Sequence, residues 1–197
     1  MNILCLLGSP RKKGNSADMA RAFCDAASAA GAHVESVYLN GLSARGCQAC
    51  FSCKGKTETC VLEDDLAPVL AKAAACDALV LATPVYFGEI TAQLKTFIDR
   101  TFSFLTPDYA RNKDKRSRLT PGKTLVMLLA QGHPREDLFA DIFPRYQYFY
   151  TWMGFSQSHL VRPCGVYHPG DAAAREGLME EIAALARSVV AFHEGKP

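Results

Sequence analysis

An apolar run that stops against Gly8-Ser9-Pro10 constrains this chain more than any other stretch. Residues Ile3 to Leu7 are continuously apolar and bounded by glycine and proline, the pattern of a buried strand. From Ser16 onward Met19, Ala20, Phe23, Cys24 and Ala27 recur at helical spacing, and the Ser16 hydroxyl suits an N-cap. The loop between gathers Ser9, Arg11, Lys12, Lys13, Asn15 and Ser16, all donors and several of them cations. A helix N-terminus adds unpaired N–H groups and the positive end of the helix dipole. Strand, donor-rich loop and helix start together predict an anion site, with phosphate the anion that suits it. The loop is neither of the two common phosphate motifs. Gly8 and Gly14 lack the G-x-G-x-x-G spacing, and Asn15-Ser16 stands where a P-loop needs Lys followed by Ser or Thr.

The rest of the chain alternates in the same way. Further strands are predicted at 33–39, 78–82, 124–130 and 158–162, and helices at 63–76, 89–104, 136–153 and 171–193. Pro144 is expected to bend the 136–153 helix or to restart it. Three strands are continuously apolar, which calls for a parallel sheet covered on both faces. The expected fold is α/β: a flavodoxin-like, doubly wound, five-stranded parallel sheet of order 2-1-3-4-5 in a three-layer α/β/α sandwich. In that order a ligand sits beyond the carboxyl ends of strands one and three, at the Gly8 and Thr83 loops.

With 197 residues, one domain spanning 1–197 is expected. A net charge of +2 does not call for a nucleic-acid partner. The first apolar run is too short for a signal and no stretch is long enough to span a membrane, so the expected location is the cytoplasm. There the eight cysteines are expected as thiols or metal ligands rather than disulfides.

Gly-Ser-Pro-Arg-x-x-Gly-Asn-Ser (8–16) resembles the flavin-phosphate loop of the flavodoxin-like NADPH-dependent FMN reductases. The resemblance implies that Ser9, Arg11, Asn15 and Ser16, with Lys13, hold the FMN phosphate. Residues 84–100, Pro-Val-Tyr-Phe-Gly-Glu-Ile-Thr-Ala-Gln-Leu-Lys-Thr-Phe-Ile-Asp-Arg, look like the second flavin loop and following helix of the same family, which assigns Pro84, Val85, Tyr86, Phe87 and Gly88 to the isoalloxazine. Gln131 and Gly132, followed by His133, resemble the third flavin loop.

Cys47, Cys50, Cys53 and Cys60 read C-x2-C-x2-C-x6-C, half of the cysteines in 14 residues. Such density suits a [4Fe–4S] cluster, an all-thiolate zinc site, or structural thiols without metal. The spacing is similar to the compact motif of the iron–sulfur flavoproteins, a branch of the same family, and this similarity implies a cluster near the flavin. Cys5, Cys24 and Cys76 fall on apolar faces as packing residues, and Cys164 is isolated.

The implied function is an FMN-dependent oxidoreductase or electron-transfer flavoprotein with a [4Fe–4S] cluster, NAD(P)H as a candidate donor, and a small molecule or protein as redox partner. The alternatives are a cluster-free NAD(P)H-dependent FMN or quinone reductase, and a non-enzymatic electron carrier or redox sensor. No side chain stands out as a catalytic acid, base or nucleophile. The basic loop Arg111, Lys113, Lys115, Arg116 and Arg118 reads as a solvated surface that could also favour an anionic donor. The aromatics Phe143, Tyr146, Tyr148, Phe149, Tyr150 and Trp152 exceed what one helix face buries. They predict a homodimer or homotetramer interface or a cover over the flavin.

Overall fold

A computed structural model describes residues 1–195; the last two residues of the expected 1–197 domain lie outside the described residues. Five strands, β1 (Asn2–Leu7), β2 (His33–Tyr38), β3 (Ala78–Pro84), β4 (Lys123–Ala130) and β5 (Phe155–Val161), pair in parallel in the order β2-β1-β3-β4-β5. This is the doubly wound order read from the sequence. The helices are α1 (Asn15–Ala29), α2 (Leu66–Ala75), α3 (Ala92–Arg100), α4 (Ile142–Trp152), the short α5 (Asp171–Ala174) and α6 (Leu178–Glu194).

The continuous apolar strands are explained by the two faces they feed. Alternate residues Leu4, Leu6, Leu79, Leu81, Leu125, Met127 and Leu129 pack with α2, α3 and α4. Their neighbours Ile3, Cys5, Val80, Ala82, Val126 and Leu128 pack with α1 and α6. Every residue of β4 is buried, so neither face can tolerate a polar alternation. The register Leu7↔Ala82 brings the carboxyl ends of β1 and β3 side by side, where the winding reverses.

Several boundaries differ from expectation. Helix α1 begins at Asn15 with Gly14 as its N-cap and no side-chain capping bond, so Ser16 lies inside the first turn. The Asn15 side chain is engaged with a distant loop and leaves the cap position to Gly14. Helix α4 starts at Ile142, which places Pro144 in the first turn, where its missing N–H has no intrahelical partner to lose. The expected last helix divides into α5 and α6, because Gly177 takes a left-handed φ of 72° between them.

Candidate functional site

A cavity of about 410 Å³ opens at the carboxyl edge of the sheet. Ser9, Arg11, Gly14, Asn15 and Ser16 of the first loop line it, with Pro84, Val85 and Tyr86 after β3 and Gly132 after β4. Eight of the residues expected to hold flavin are thus brought together. The first loop is shaped from within: the Ser9 hydroxyl accepts from Arg11 N–H at 3.1 Å. The helical geometry leaves the first-turn N–H groups of α1 without intrahelical acceptors. The loop sits hard on α3. A Cβ on Gly8 would lie 2.9 Å from Leu94 Cβ and 3.1 Å from Thr91 Oγ1, so only glycine fits without displacement. Thr91, the N-cap of α3, donates its hydroxyl to Gly8 O at 2.6 Å and meets Thr83 Oγ1 at 3.3 Å. One buried hydroxyl therefore joins the first two of the three expected flavin loops.

Four expected residues do not line this cavity. Lys13 is exposed beyond its rim. Phe87 and Gly88 form the tip of a hairpin closed by Tyr86 N–H to Glu89 O at 2.8 Å and Glu89 N–H to Tyr86 O at 3.0 Å. Their φ values of 49° and 76° are both positive, as the central pair of a type I′ turn requires. Phe87 projects fully into solvent in this strained conformation. Gln131 is buried and committed elsewhere: Nε2 donates to His133 O and Arg135 O at 2.9 and 2.8 Å, and Oε1 accepts from Arg162 Nη1 at 2.6 Å. It braces the loop after β4 rather than facing the cavity. Val166, Tyr167, His168 and Pro169, after β5, complete the wall. Sequence reading passed over them, although topology puts that loop on the same edge of the sheet.

The cysteine motif lies at a second, larger cavity of about 870 Å³. Cys47, Cys50, Cys53 and Cys60 all line it, together with Phe51, Phe102, Tyr109, Phe149 and Trp152. Among the described residues no group of three or more His, Cys, Asp or Glu side chains is arranged to hold a metal ion. The loop has little regular structure, and Ala49 and Phe51 take positive φ values of 50° and 55° between the cysteines. Its base is pinched shut. Asp65 Oδ2 accepts from Ser43 N–H at 2.8 Å, and Asp64 Oδ2 accepts from Arg45 N–H at 3.0 Å. Ser52 N–H and the Ser52 hydroxyl, bonded to the Cys50 sulfur, favour its thiolate and lower its pKa.

The central fastener is Arg100, buried at the end of α3. Its Nη1 bonds both Asp64 oxygens at 2.6 and 2.7 Å, and its Nη2 donates to Leu62 O at 2.9 Å. Among the described residues its Nε, in a residue of the cavity wall, has no hydrogen-bond partner, and neither has the buried Tyr150 hydroxyl of the same wall. Burial alone would raise the Asp64 carboxyl; the bonds from Arg100 and from the Arg45 and Leu66 amides outweigh it and hold the pKa below the usual value.

The basic loop is only partly a solvated surface. Arg118 donates to Cys53 O at 3.0 Å and Ser103 O at 2.9 Å, and Arg116 stands 4.3 Å over the Trp152 ring. Arg111, Lys113 and Lys115 are exposed. The α4 aromatics split as well. Tyr146 and Tyr150 are buried, while Tyr148 and Phe149 stay exposed. Tyr146, Phe149, Tyr150 and Trp152 line the cysteine cavity and not the one at the sheet edge, so the expected cover lies over the thiols. Cys5 and Cys76 are buried as expected, and burial pushes the Cys76 thiol up to about 11.

A family model described as NADPH-dependent FMN reductase matches residues 1–140. An iron-sulfur flavoprotein of Archaeoglobus fulgidus is 38% identical over 104 residues, 53% of this chain and 47% of that protein. An iron-sulfur flavoprotein of Methanosarcina thermophila is 30% identical over 122 residues, 62% of this chain and 63% of that protein. The matches thus span about half to under two thirds of these curated relatives. Among solved structures, an NAD(P)H:quinone oxidoreductase from Methanothermobacter marburgensis superposes with a TM-score of 0.75 over 96% of this chain and 98% of that one, at 22% identity. That likeness is one of fold.

Proposed function

Because the chain belongs to the NADPH-dependent FMN reductase family, matched over residues 1–140, we propose that it is an FMN-dependent oxidoreductase with its flavin in the cavity at the sheet edge. One observation carries this reading: the phosphate-loop residues, the Pro84–Tyr86 segment and Gly132 line a single cavity where the winding reverses. The residues fit the group. The Arg11 guanidinium, the Ser9 hydroxyl and the α1 first-turn amides bind the phosphate. Pro84, Val85 and Tyr86 present flat or apolar surface to the ring system, and Phe87-Gly88 hold the hairpin that carries Tyr86. When bound, FMN supplies two-electron acceptance from a nicotinamide donor and release of electrons singly or in a pair. The chain's own part is binding, orientation and control of solvent. Steady-state oxidation of NADPH and NADH by FMN-loaded protein, with quinone or free flavin as acceptor, tests it. Turnover supports the oxidoreductase, and bound FMN without turnover supports an electron carrier.

A [4Fe–4S] cluster held by Cys47, Cys50, Cys53 and Cys60 is the second part of the reading. All four thiols line one cavity, and among the described residues the buried Nε–H of Arg100, a residue of its wall, has no partner. Such a donor set suits a cluster, which would supply one-electron transfer. Among the described residues the four thiols are not grouped as a metal site, so closing them around a metal would couple binding to the ordering of this loop. Iron and sulfide analysis after anaerobic purification separates the cluster from a zinc site and from free thiols. All eight cysteines are unpaired, in keeping with a reducing cytoplasm. Among the described residues no helix is long and apolar enough to cross a membrane. The exposed Tyr148 and Phe149 favour a homodimer or homotetramer, which light scattering distinguishes from the 21.5 kDa monomer.

A further inference from the structure

The FMN-reductase motif assigns Asn15 to the phosphate, yet the Asn15 carboxamide is spent on a different loop. Nδ2 donates to Val166 O at 3.0 Å and to His168 O at 2.9 Å, and Oδ1 accepts from Ala172 N–H at 3.0 Å. Both amide hydrogens are used, so the side chain has no donor left for a phosphate. The three bonds hold the segment after β5 against the N-terminus of α1. That segment, Val166 to Pro169, lines the cavity at the sheet edge. Between the two carbonyls that Asn15 grips stands Tyr167, 74% exposed. Its ring backs onto Gly132: a Cβ there would meet Tyr167 Cδ2 at 3.0 Å, so the glycine makes room for the ring. Val166 N–H bonds Gln131 O at 3.0 Å, which anchors the other side. An aromatic ring is therefore fixed by its backbone from two directions, in the wall of a cavity, with most of its surface open.

We propose that Val166–Pro169 is a fourth flavin-binding element, in which the Tyr167 ring contacts the ribityl or ring portion of the ligand and Asn15 is the positioning residue that holds it there. The inference rests on the FMN reading. It assigns Tyr167 to the part of the ligand that FMN and riboflavin share, and leaves the phosphate to Arg11 and Ser9.

Equilibrium titrations of the purified chain with FMN and with riboflavin, followed by flavin fluorescence, test this. Tyr167→Ala should weaken both ligands about tenfold, while Tyr167→Phe keeps wild-type affinity. The melting temperature of Tyr167→Ala should stay at the wild-type value, because the ring is mostly exposed. Asn15→Ala should weaken both ligands in the wild-type background, assayed below its melting temperature, and have little further effect in the Tyr167→Ala background. The inference is overturned if Tyr167→Ala binds both flavins as tightly as wild type, or if the Asn15→Ala loss is the same in both backgrounds. Wild-type protein that binds neither flavin overturns the FMN reading itself and this inference with it. Wild-type binding with a silent Tyr167 overturns this inference alone.

Discussion

Arg100 and Asp64 meet in a buried pair, with both carboxylate oxygens within 2.7 Å of Arg100 Nη1. Arg100 ends the nine-residue helix α3, whose other end is Thr91, bonded to Gly8 O. At about 1.5 Å per residue, the helix sets roughly 13 Å between the two. A single rigid element thus fixes the Gly8 loop at one end and the base of the cysteine loop at the other.

Breaking this pair should be costly. Asp64→Ala leaves a fully buried guanidinium uncompensated, an effect of about 3–5 kcal/mol measured by urea unfolding. Folding lowers the Asp64 pKa, so its contribution is complete above the unfolded value of about 4 and is lost as pH falls through the folded value. Asp64→Asn should therefore flatten the acid limb of the stability profile below about pH 5. An unchanged limb would assign that limb to other carboxylates.

Gly8→Ala should destabilise by about 1–3 kcal/mol, because the new methyl meets Leu94 Cβ at 2.9 Å inside a packed contact. Thermal unfolding reads the stability, and FMN titration should show weakened binding as the loop is displaced. A neutral Gly8→Ala would mean that α3 yields more easily than its packing suggests.

Phe87→Asn should raise stability by about 1 kcal/mol, since asparagine tolerates the left-handed region that Phe87 occupies at φ 49° and the phenyl ring is solvent-exposed. Chemical denaturation checks this. A loss of stability would show that the ring has a partner, such as a second copy of the chain.

Much of this was legible in the sequence. Strand β1, its donor-rich loop and α1 are local in the chain, and the loop chemistry and apolar periodicity lie within fifteen residues of one another. The aromatic loop after β3 was legible for the same reason. What stayed hidden depends on distant partners. Asn15 reads as a phosphate donor until its bonds to residues 166–172 are seen, and Gln131 reads as a flavin-loop residue until Arg162 is found against it. Arg100 stands only as the last residue of the run resembling the second flavin loop and its helix, and Arg118 as one cation of a solvated loop. Their roles arise only when the chain returns across Leu62, Asp64 and Cys53. The thiols were found by density, but density does not say how the loop arranges them, and among the described residues they form no metal-holding group.

Cys53→Ser should release iron from anaerobically purified protein and abolish the low-temperature paramagnetic signal of the reduced cluster, while flavin content stays unchanged. The two cavities share no lining residue, which is why the losses should separate. Iron-free wild-type protein after anaerobic purification and reconstitution would remove the cluster and leave an FMN reductase.

The central claim is that the Ser9–Ser16 loop holds the phosphate of FMN, and parallel titration of wild-type and Arg11→Ala protein with FMN and riboflavin tests it most directly. Wild-type protein should prefer FMN. Arg11→Ala should lose a charge-assisted hydrogen bond worth about 1.5–3 kcal/mol, weakening FMN by roughly tenfold or more and leaving riboflavin unchanged. Equal affinity of wild-type protein for the two flavins, or an Arg11→Ala loss that falls on riboflavin as heavily as on FMN, would contradict it.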